Sequence, residues 1–226
     1  MSQLKIEKRP EGDSQESVDS FLALLSATTE PMRPAAEYPA GGYDLSRDSM
    51  QFRFSRENYV SEYGFVLLTE ECVAELALFL LGKKTLEVGS GTGFLAYNLN
   101  SRGVDITALD HQTPGPGNQY KLAKTWRLDK QASFETELPG AYDAVILSWP
   151  GYESSFAYEV SQAMRVGQFL VYQGEDAGGC TADDDFFEYV NGASWRRLDA
   201  ETDALNENHR QFPGVHDSWT VFQKIG

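Results

Sequence analysis

The sequence predicts an α/β domain with a mainly parallel sheet, helices on both faces of that sheet, and an antiparallel strand near the carboxyl terminus. Beyond residue 61, short strand-like runs alternate with helical stretches, which is typical of a parallel sheet covered by helices. A glycine-rich turn joins the first of these strands to a helix. The last two strand-like runs have no clear helix between them, so we expect an antiparallel pair at one edge. These features predict a Rossmann-like fold.

Two regions differ in composition along the 226 residues. Residues 1–56 are predicted to form an N-terminal extension that is partly disordered, with a short helix at 17–29 and an irregular linker rich in proline and glycine. Its aromatic residues Tyr43, Phe52 and Phe54 are candidates for a lid. Residues 57–226 are predicted to form one domain, because a chain of this length buries a single core.

The first regular element is a helix that begins after Thr69, a good N-cap, with Glu70 and Glu71 in its first turn and Gly82 as its stop. The elements expected after it are strands at 85–88, 104–109, 134–138, 142–148, 168–173, 195–199 and 218–224, and helices at 94–101, 154–165 and 183–190. The third strand, at 134–138, has the weakest pattern.

The charge is strongly acidic, with a net value of −15 and a pI near 4.5. Phosphate neutralisation dominates affinity for nucleic acid, so the balance argues against an unaided duplex-binding protein. Between residues 175 and 207 ten acids stand against two arginines. This stretch is either a solubilising surface or a field that attracts a cationic substrate or a basic partner.

Membrane insertion and secretion are not expected from this sequence. No apolar run approaches the ~20 residues of a membrane span, and residues 1–15 lack the apolar segment of a secretory signal. The two cysteines, Cys72 and Cys180, give neither a disulfide framework nor metal-ligand spacing. We therefore expect a cytoplasmic protein without a metal.

The most informative segment is LEVGSGTGF, residues 86–94. A strand delivers Glu87, and Gly89, Gly91 and Gly93 then form a tight turn into a helix. Glycine is required there because the turn adopts conformations that a Cβ hinders and because a ligand approaches the backbone closely. The spacing differs from the G-x-G-x-x-G of pyrophosphate-binding dehydrogenases.

An acid follows at the distance expected of a ribose-binding residue. Asp110 ends the second strand and lies 110 − 93 = 17 residues after Gly93. In this form, E-x-G-x-G-x-G followed by an acid, the segment resembles the first motif of the class I S-adenosylmethionine-dependent methyltransferases. The resemblance implies S-adenosyl-L-methionine as cofactor, with Glu87 and the glycine turn at its methionine end and Asp110 on its ribose. Ser90 and Ser148 complete the predicted cofactor-binding set.

Three segments are expected to meet at the carboxyl ends of the strands, where ligands bind in open parallel sheets. They are residues 148–152, 174–181 and 212–217, the last on condition that the final strand runs antiparallel. The predicted substrate-binding residues on this rim are Trp149, Pro150 and Asp217, and the predicted catalytic residues are Tyr152, Glu175 and His216. Glu175 or His216 would accept the proton of the nucleophile. Alternatively, Glu175 is an ordinary surface carboxylate, and His216 and Asp217 form a turn that leads from a loop into the last strand.

The turn after the fourth strand also bears on the acceptor. Methyltransferases that act on the exocyclic amines of nucleic-acid bases carry an N-P-P-Y-like motif after this strand. This chain has W-P-G-Y at 149–152 instead. An indole donates a hydrogen bond but accepts none from an amine. The motif and the charge therefore argue against nucleic-acid base methylation.

The wider pattern, over residues 57–226, is similar to a poorly characterised branch of methyltransferase-like proteins. It comprises E-Y-G-F at 62–65, the glycine turn, S-W-P-G-Y, G-E-x-x-G-G-C-T and the final P-G-x-H-D. The predicted function is methyl transfer to a small-molecule or protein acceptor. The alternative is a catalytically inactive protein of the same fold that acts as an acidic binding or inhibitory module. The run Asp183, Asp184 and Asp185 is interpreted as a helix start capped by Thr181 rather than as a metal site.

Overall fold

A computed structural model of the protein describes residues 56, 59–61, 63–110, 131–132, 139–212 and 214–226. The predicted helix at 17–29, the candidate lid residues and the expected strand at 134–138 lie outside the described residues. The same holds for nearly all of the expected extension, residues 1–56, of which only Arg56 is described.

The core of the fold is a seven-stranded sheet in the order β3-β2-β1-β4-β5-β7-β6. Its strands are β1 (Thr85–Val88), β2 (Ile106–Leu109), β3 (Gln131–Ala132), β4 (Ala144–Ser148), β5 (Phe169–Gly174), β6 (Trp195–Arg197) and β7 (Ser218–Lys224). The first five strands run parallel, and β7 runs antiparallel to both β5 and β6. The predicted α/β, Rossmann-like fold with a mainly parallel sheet is confirmed.

Five α-helices are described around this sheet. They are α1 (Glu70–Leu80), α2 (Phe94–Ser101), α3 (Phe156–Ala163), α4 (Asp184–Val190) and α5 (Asp199–Glu207). The Thr69 side chain accepts a hydrogen bond of 3.2 Å from the Cys72 N–H, so it caps α1 as predicted. None of the described helices is long and apolar enough to cross a bilayer.

Apolar side chains are buried on both faces of the sheet. One cluster joins α1, α2 and α5 to the sheet through side chains such as Leu76, Phe94 and Trp219. The other joins α3 and α4 to it through side chains such as Leu86 and Phe186. Every residue of β1 and β2 is buried, as expected of central strands covered on both sides. Their parallel pairing brings the carboxyl ends of the strands to one rim.

The edge of the sheet differs from expectation in one respect. The antiparallel pairing of β6 with β7 is confirmed, but the expected absence of a helix between them is wrong, because α5 occupies 199–207. This helix buries only Thr202 and Leu205. Two buried positions give too sparse an apolar stripe to be recognised by periodicity.

The structure describes β3 at 131–132, just before the expected strand at 134–138, which lies outside the described residues. The expected cap of α4 is corrected. The N-cap of α4 is Asp183, whose Oδ1 accepts the Phe186 N–H at 3.0 Å. Thr181, the expected cap, instead bonds the Tyr172 hydroxyl at 2.7 Å and donates to the Glu175 carbonyl at 2.9 Å.

The end of β7 fastens α3 to the sheet through a buried lysine. Lys224 Nζ donates hydrogen bonds to three carbonyls at the end of α3, those of Ser161, Gln162 and Met164, at 3.2, 3.3 and 2.8 Å. The last carbonyls of a helix have no partner within it, and a cation near them also complements the helix dipole. A side chain of β7 therefore provides the C-terminal cap of α3.

Candidate functional site

The glycine turn after β1 has the backbone geometry that its sequence requires. Gly89, Gly91 and Gly93 have φ values of 75°, 54° and 77°, in the left-handed region that favours glycine. A Cβ built on Gly91 would have no atom within 4 Å. Open space therefore lies directly against the main chain at Gly91, as a bound ligand needs.

Asp110 lies against this turn. Its Oδ2 accepts the Gly91 N–H at 2.7 Å. The parallel register pairs Val88 with Leu109, so β1 and β2 end at the same level. The N–H groups of Gly89 and Ser90 also bond the Leu109 carbonyl, at 2.8 and 3.1 Å. These contacts bring a carboxylate beside the turn.

Glu87 is a buried acid, with only 2% of its surface exposed. The pKa of this carboxyl is raised from 4.5 to about 8, mainly by burial. The hydrogen bond from the Ala96 N–H to Oε2, at 3.1 Å, acts to lower the pKa, and the nearby charge of Asp110 acts to raise it. A cation next to this carboxyl would favour its ionised form.

A cavity of about 60 Å³ lies between the turn and the residues that follow β4. It brings together six of the predicted site residues, which are Glu87, Gly89, Ser90, Gly91, Ser148 and Trp149. Tyr63, Gly64 and Phe65, which precede α1, also line it. Gly93 and Asp110 do not line it: Gly93 is the N-cap of α2, and Asp110 bonds the turn. Sequence reasoning missed this contribution of the segment before α1.

These residues fit S-adenosyl-L-methionine. Glu87 offers a buried carboxyl to a cationic cofactor, and Gly91 leaves room for a close approach to the backbone. Asp110 holds a carboxylate beside the same turn, where ribose hydroxyls can donate to it. Each group corresponds to a chemical requirement of this cofactor.

Trp149 forms one wall of the cavity. Its ring stacks on Phe65, with centroids 5.3 Å apart and planes 17° apart. Its backbone has a φ of 49°, which is unusual for a bulky residue. The indole Nε1–H donates to Asp217 Oδ2 at 3.2 Å. Trp149 is therefore a constrained wall residue.

Asp217 lies behind this wall rather than on the open rim. Only 2% of its surface is exposed, and it lines neither of the cavities described here. Its Oδ1 lies 3.1 Å from Nε2 of His209, a buried histidine that sequence reasoning did not select. The predicted contact of Asp217 with an acceptor does not agree with this burial, because the Trp149 indole and the His209 ring occupy the carboxylate.

Glu175 joins the segment after β5 to the segment before β7. Its Oε1 accepts the His216 N–H at 3.1 Å, and its Oε2 accepts the Cys180 N–H at 2.7 Å. A Cβ on Gly179 would lie 2.4 Å from the Glu175 Cβ, so this turn requires glycine. Two of the three rim segments thus meet, with the His216 side chain exposed.

Pro150 and Tyr152 lie on the other side of the rim. Pro150 is buried, and its carbonyl accepts the Ala182 N–H at 3.2 Å. Tyr152 is 60% exposed, and its contact with Glu153 raises the pKa of its hydroxyl. Tyr152 does not line the cofactor cavity.

A second cavity, of about 440 Å³, contains Tyr152. Its walls also include four acidic residues, which are Glu153, Asp183, Asp184 and Asp185. It shares no lining residue with the cofactor cavity. Among the described residues, no group of three or more His, Cys, Asp or Glu side chains is arranged to hold a metal ion.

Comparison with known proteins gives structural matches only. No family model and no curated protein matches the sequence. The CcbJ methyltransferase from Streptomyces caelestis matches 68% of this chain and 94% of its own, at 13% identity and a TM-score of 0.41. The 1,6-didemethyltoxoflavin-N1-methyltransferase of Burkholderia thailandensis matches 79% of this chain and 85% of its own, at 12% identity and a TM-score of 0.44.

A nucleic-acid enzyme is among the matches as well. The M1A22 tRNA methyltransferase TrmK of B. subtilis matches 71% of this chain and 68% of its own, at 13% identity and a TM-score of 0.40. Such low scores carry no information about the acceptor. On its own strand order, its antiparallel β7 and its glycine turn with Asp110, the chain has the fold of the class I S-adenosylmethionine-dependent methyltransferases.

Proposed function

We propose that the protein transfers a methyl group from S-adenosyl-L-methionine to a small-molecule or protein acceptor. The observation that carries the proposal is the pair of carboxyls at the glycine turn, the buried Glu87 and the turn-bound Asp110. When bound, the cofactor supplies an electrophilic methyl group on a sulfonium. The remaining work of the protein is to bind, to align and to accept a proton, and alignment alone contributes up to ~7–11 kcal/mol.

Each residue has a part in this proposal. Glu87 neutralises positive charge of the cofactor, and Asp110 accepts hydrogen bonds from its ribose hydroxyls. Trp149 and Phe65 exclude water from the cavity with their stacked rings. His216, exposed on the rim, accepts the proton of the nucleophile.

Glu175 and Tyr152 serve the acceptor side in the same proposal. Glu175 has both carboxylate oxygens engaged by backbone N–H groups, so it orients the His216 segment rather than taking a proton itself. Tyr152 offers an exposed ring to a flat or cationic acceptor at the mouth of the acidic cavity.

The charge of the protein supports an acceptor other than unaided nucleic acid. A net charge of −15 repels phosphate, whereas it attracts a cationic small molecule or a basic protein segment. We also propose a cytoplasmic location, which agrees with the free thiols of Cys72 and Cys180.

Calorimetry with S-adenosylhomocysteine tests the cofactor part of the proposal. We expect micromolar binding by the native protein. Because a cation lowers the pKa of Glu87, S-adenosyl-L-methionine should also release protons when it binds near pH 7, and its binding enthalpy should then vary with the ionisation enthalpy of the buffer. Native protein that binds neither compound would overturn the proposal.

A specific observation favours a second candidate function, that of an acidic binding module. The 440 Å³ acidic cavity is distinct from the cofactor cavity, so a basic partner can be bound without any methyl transfer. Charge reversal of Asp183, Asp184 and Asp185 should then abolish partner binding, while Asp110→Asn leaves it unchanged. Methyl transfer to any acceptor by the native protein would exclude a purely non-catalytic role.

A further inference from the structure

Asp217 connects three side chains from separate parts of the fold. Trp149 Nε1 and Gln173 Nε2 donate to its Oδ2 at 3.2 and 2.6 Å, and His209 Nε2 lies 3.1 Å from its Oδ1. Trp149 follows β4, Gln173 belongs to β5, and His209 follows α5. The oxygen that accepts the Trp149 N–H is therefore held by Gln173 as well, whereas His209 meets the other oxygen of the carboxylate.

The backbone of Trp149 needs such support. A left-handed conformation is costly for a bulky residue and persists only where its surroundings over-determine it. Three contacts do so here: the stack on Phe65, the indole bond to Asp217, and a 2.8 Å bond from the Trp149 N–H to the Gln173 carbonyl. The stack on Phe65 restricts the plane of the indole, and the bond to Asp217 anchors its polar edge.

The orientation of this ring determines the shape of the cofactor cavity. Trp149 and Phe65 both line this cavity of about 60 Å³. Because the indole forms part of the wall, a rotation of its ring changes the space that is open to the cofactor.

His209 contacts the oxygen of this carboxylate that Trp149 does not use. It is 8% exposed, its ring packs edge-on against Trp219 with centroids 6.3 Å apart, and it lines neither of the described cavities. It therefore contacts Asp217 without contacting the site, which makes it a matched control.

We propose that Asp217 is a positioning residue that fixes the Trp149 indole at the cofactor cavity and so sets the affinity of that cavity for the cofactor. The inference rests on the proposed function for its ligand, but the orientation of Trp149 is measurable without a ligand.

The test uses the full chain and S-adenosylhomocysteine as the probe. Asp217→Ala removes the acceptor of the Trp149 N–H, and we expect at least tenfold weaker binding by calorimetry. Trp149→Phe keeps a ring on Phe65 but lacks the N–H, so it should weaken binding to a similar extent. Because both changes break the same interaction, the double variant should bind no more weakly than the more impaired of the two single variants. His209→Phe should also lower the melting temperature, yet keep the affinity within twofold.

Fluorine NMR of protein labelled with 5-fluorotryptophan reports the ring itself. The four tryptophans give separate resonances, and Trp149→Phe identifies that of Trp149. We expect Asp217→Ala, but not His209→Phe, to shift the Trp149 resonance.

Several results would overturn the inference. Additive losses of affinity in the double variant would do so, as would equal losses in Asp217→Ala and His209→Phe. If Asp217→Ala does not fold, unchanged affinity in Trp149→Phe overturns the inference and a tenfold loss supports it. If the native protein does not bind the probe, the proposed function fails, and the Trp149 resonance alone then decides whether Asp217 positions the ring.

Discussion

The carboxylate of Asp110 accepts the backbone N–H of Gly91 at 2.7 Å, across the gap between the ends of β2 and β1. This acid therefore organises the glycine turn, and in the proposed function the same carboxylate accepts hydrogen bonds from the cofactor's ribose. Asp110→Asn separates the structural role of this residue from its proposed binding role, because the amide oxygen still accepts the Gly91 N–H but carries no charge.

Asp110→Asn should weaken S-adenosylhomocysteine binding by about 10- to 150-fold, because a charge-assisted hydrogen bond contributes ~1.5–3 kcal/mol. The melting temperature should stay near that of the native protein, since the Gly91 N–H keeps an acceptor. Asp110→Ala removes that acceptor as well and should lower both affinity and melting temperature. Calorimetry and thermal unfolding measure the two effects, and native-like affinity in Asp110→Asn would contradict the assignment to ribose.

Glu87→Gln should change the pH dependence of stability. The folded carboxyl holds its proton up to about pH 8, whereas the unfolded one ionises near 4.5, so the native state binds more protons between these values. Its contribution to the free energy of unfolding therefore falls as pH rises through this window, by a few kcal/mol in total.

Glutamine has no such proton and can still accept the Ala96 N–H. The difference in unfolding free energy between Glu87→Gln and the native protein should thus increase from pH 5 to pH 8, as measured by denaturant titration at each pH. A difference that is constant across this range would show that Glu87 is ionised throughout.

On the rim, His216→Ala and Tyr152→Ala should leave cofactor affinity unchanged, because neither residue lines the cofactor cavity. With a panel of small amines and phenols as acceptors, His216→Ala should slow methyl transfer by ~10²–10⁴-fold, the usual loss of general-base assistance. Tyr152→Phe retains the ring and serves as the control for Tyr152→Ala. Rates equal to the native rate in His216→Ala would remove that residue from the mechanism.

Lys224→Met should destabilise the fold, since it leaves three carbonyls at the end of α3 without their donor. We expect a loss of ~1–3 kcal/mol in the free energy of unfolding. The control is Arg197→Met, which removes the exposed 3.3 Å ion pair with Asp199 and should cost at most ~1 kcal/mol. Urea unfolding of both variants measures the contrast, and equal losses would contradict the capping role.

Local chemistry allowed the glycine turn and the acid beside it to be predicted from the sequence. Gly89 and Gly91 need positive φ, and Asp110 ends a strand, so their placement follows from short segments with characteristic spacing. The parallel order of β1, β2 and β4 then brings such segments to one rim without further information.

The side-chain contacts behind Trp149 could not be predicted from the sequence in this way. His209 and Asp217 are paired by the return of the chain from α5 to β7, and α5 itself has only two buried residues to mark it. The capping role of Lys224 could not be predicted either, because the carbonyls that it bonds lie about 60 residues away in sequence. Contacts of this kind depend on tertiary packing rather than on periodicity or spacing.

The position of β7 in the sheet has a consequence for how the chain folds. β6 is synthesised before β7, yet it joins the sheet only through β7, which itself pairs with β5 some 50 residues upstream. β6 cannot pair as seen here until β7 has been synthesised, and pairings of such sequence separation form late because loop closure must come first. Until then the edge of β5 is open to pairing with other chains, so we expect the protein to be most prone to aggregation before β7 occupies its place between β5 and β6.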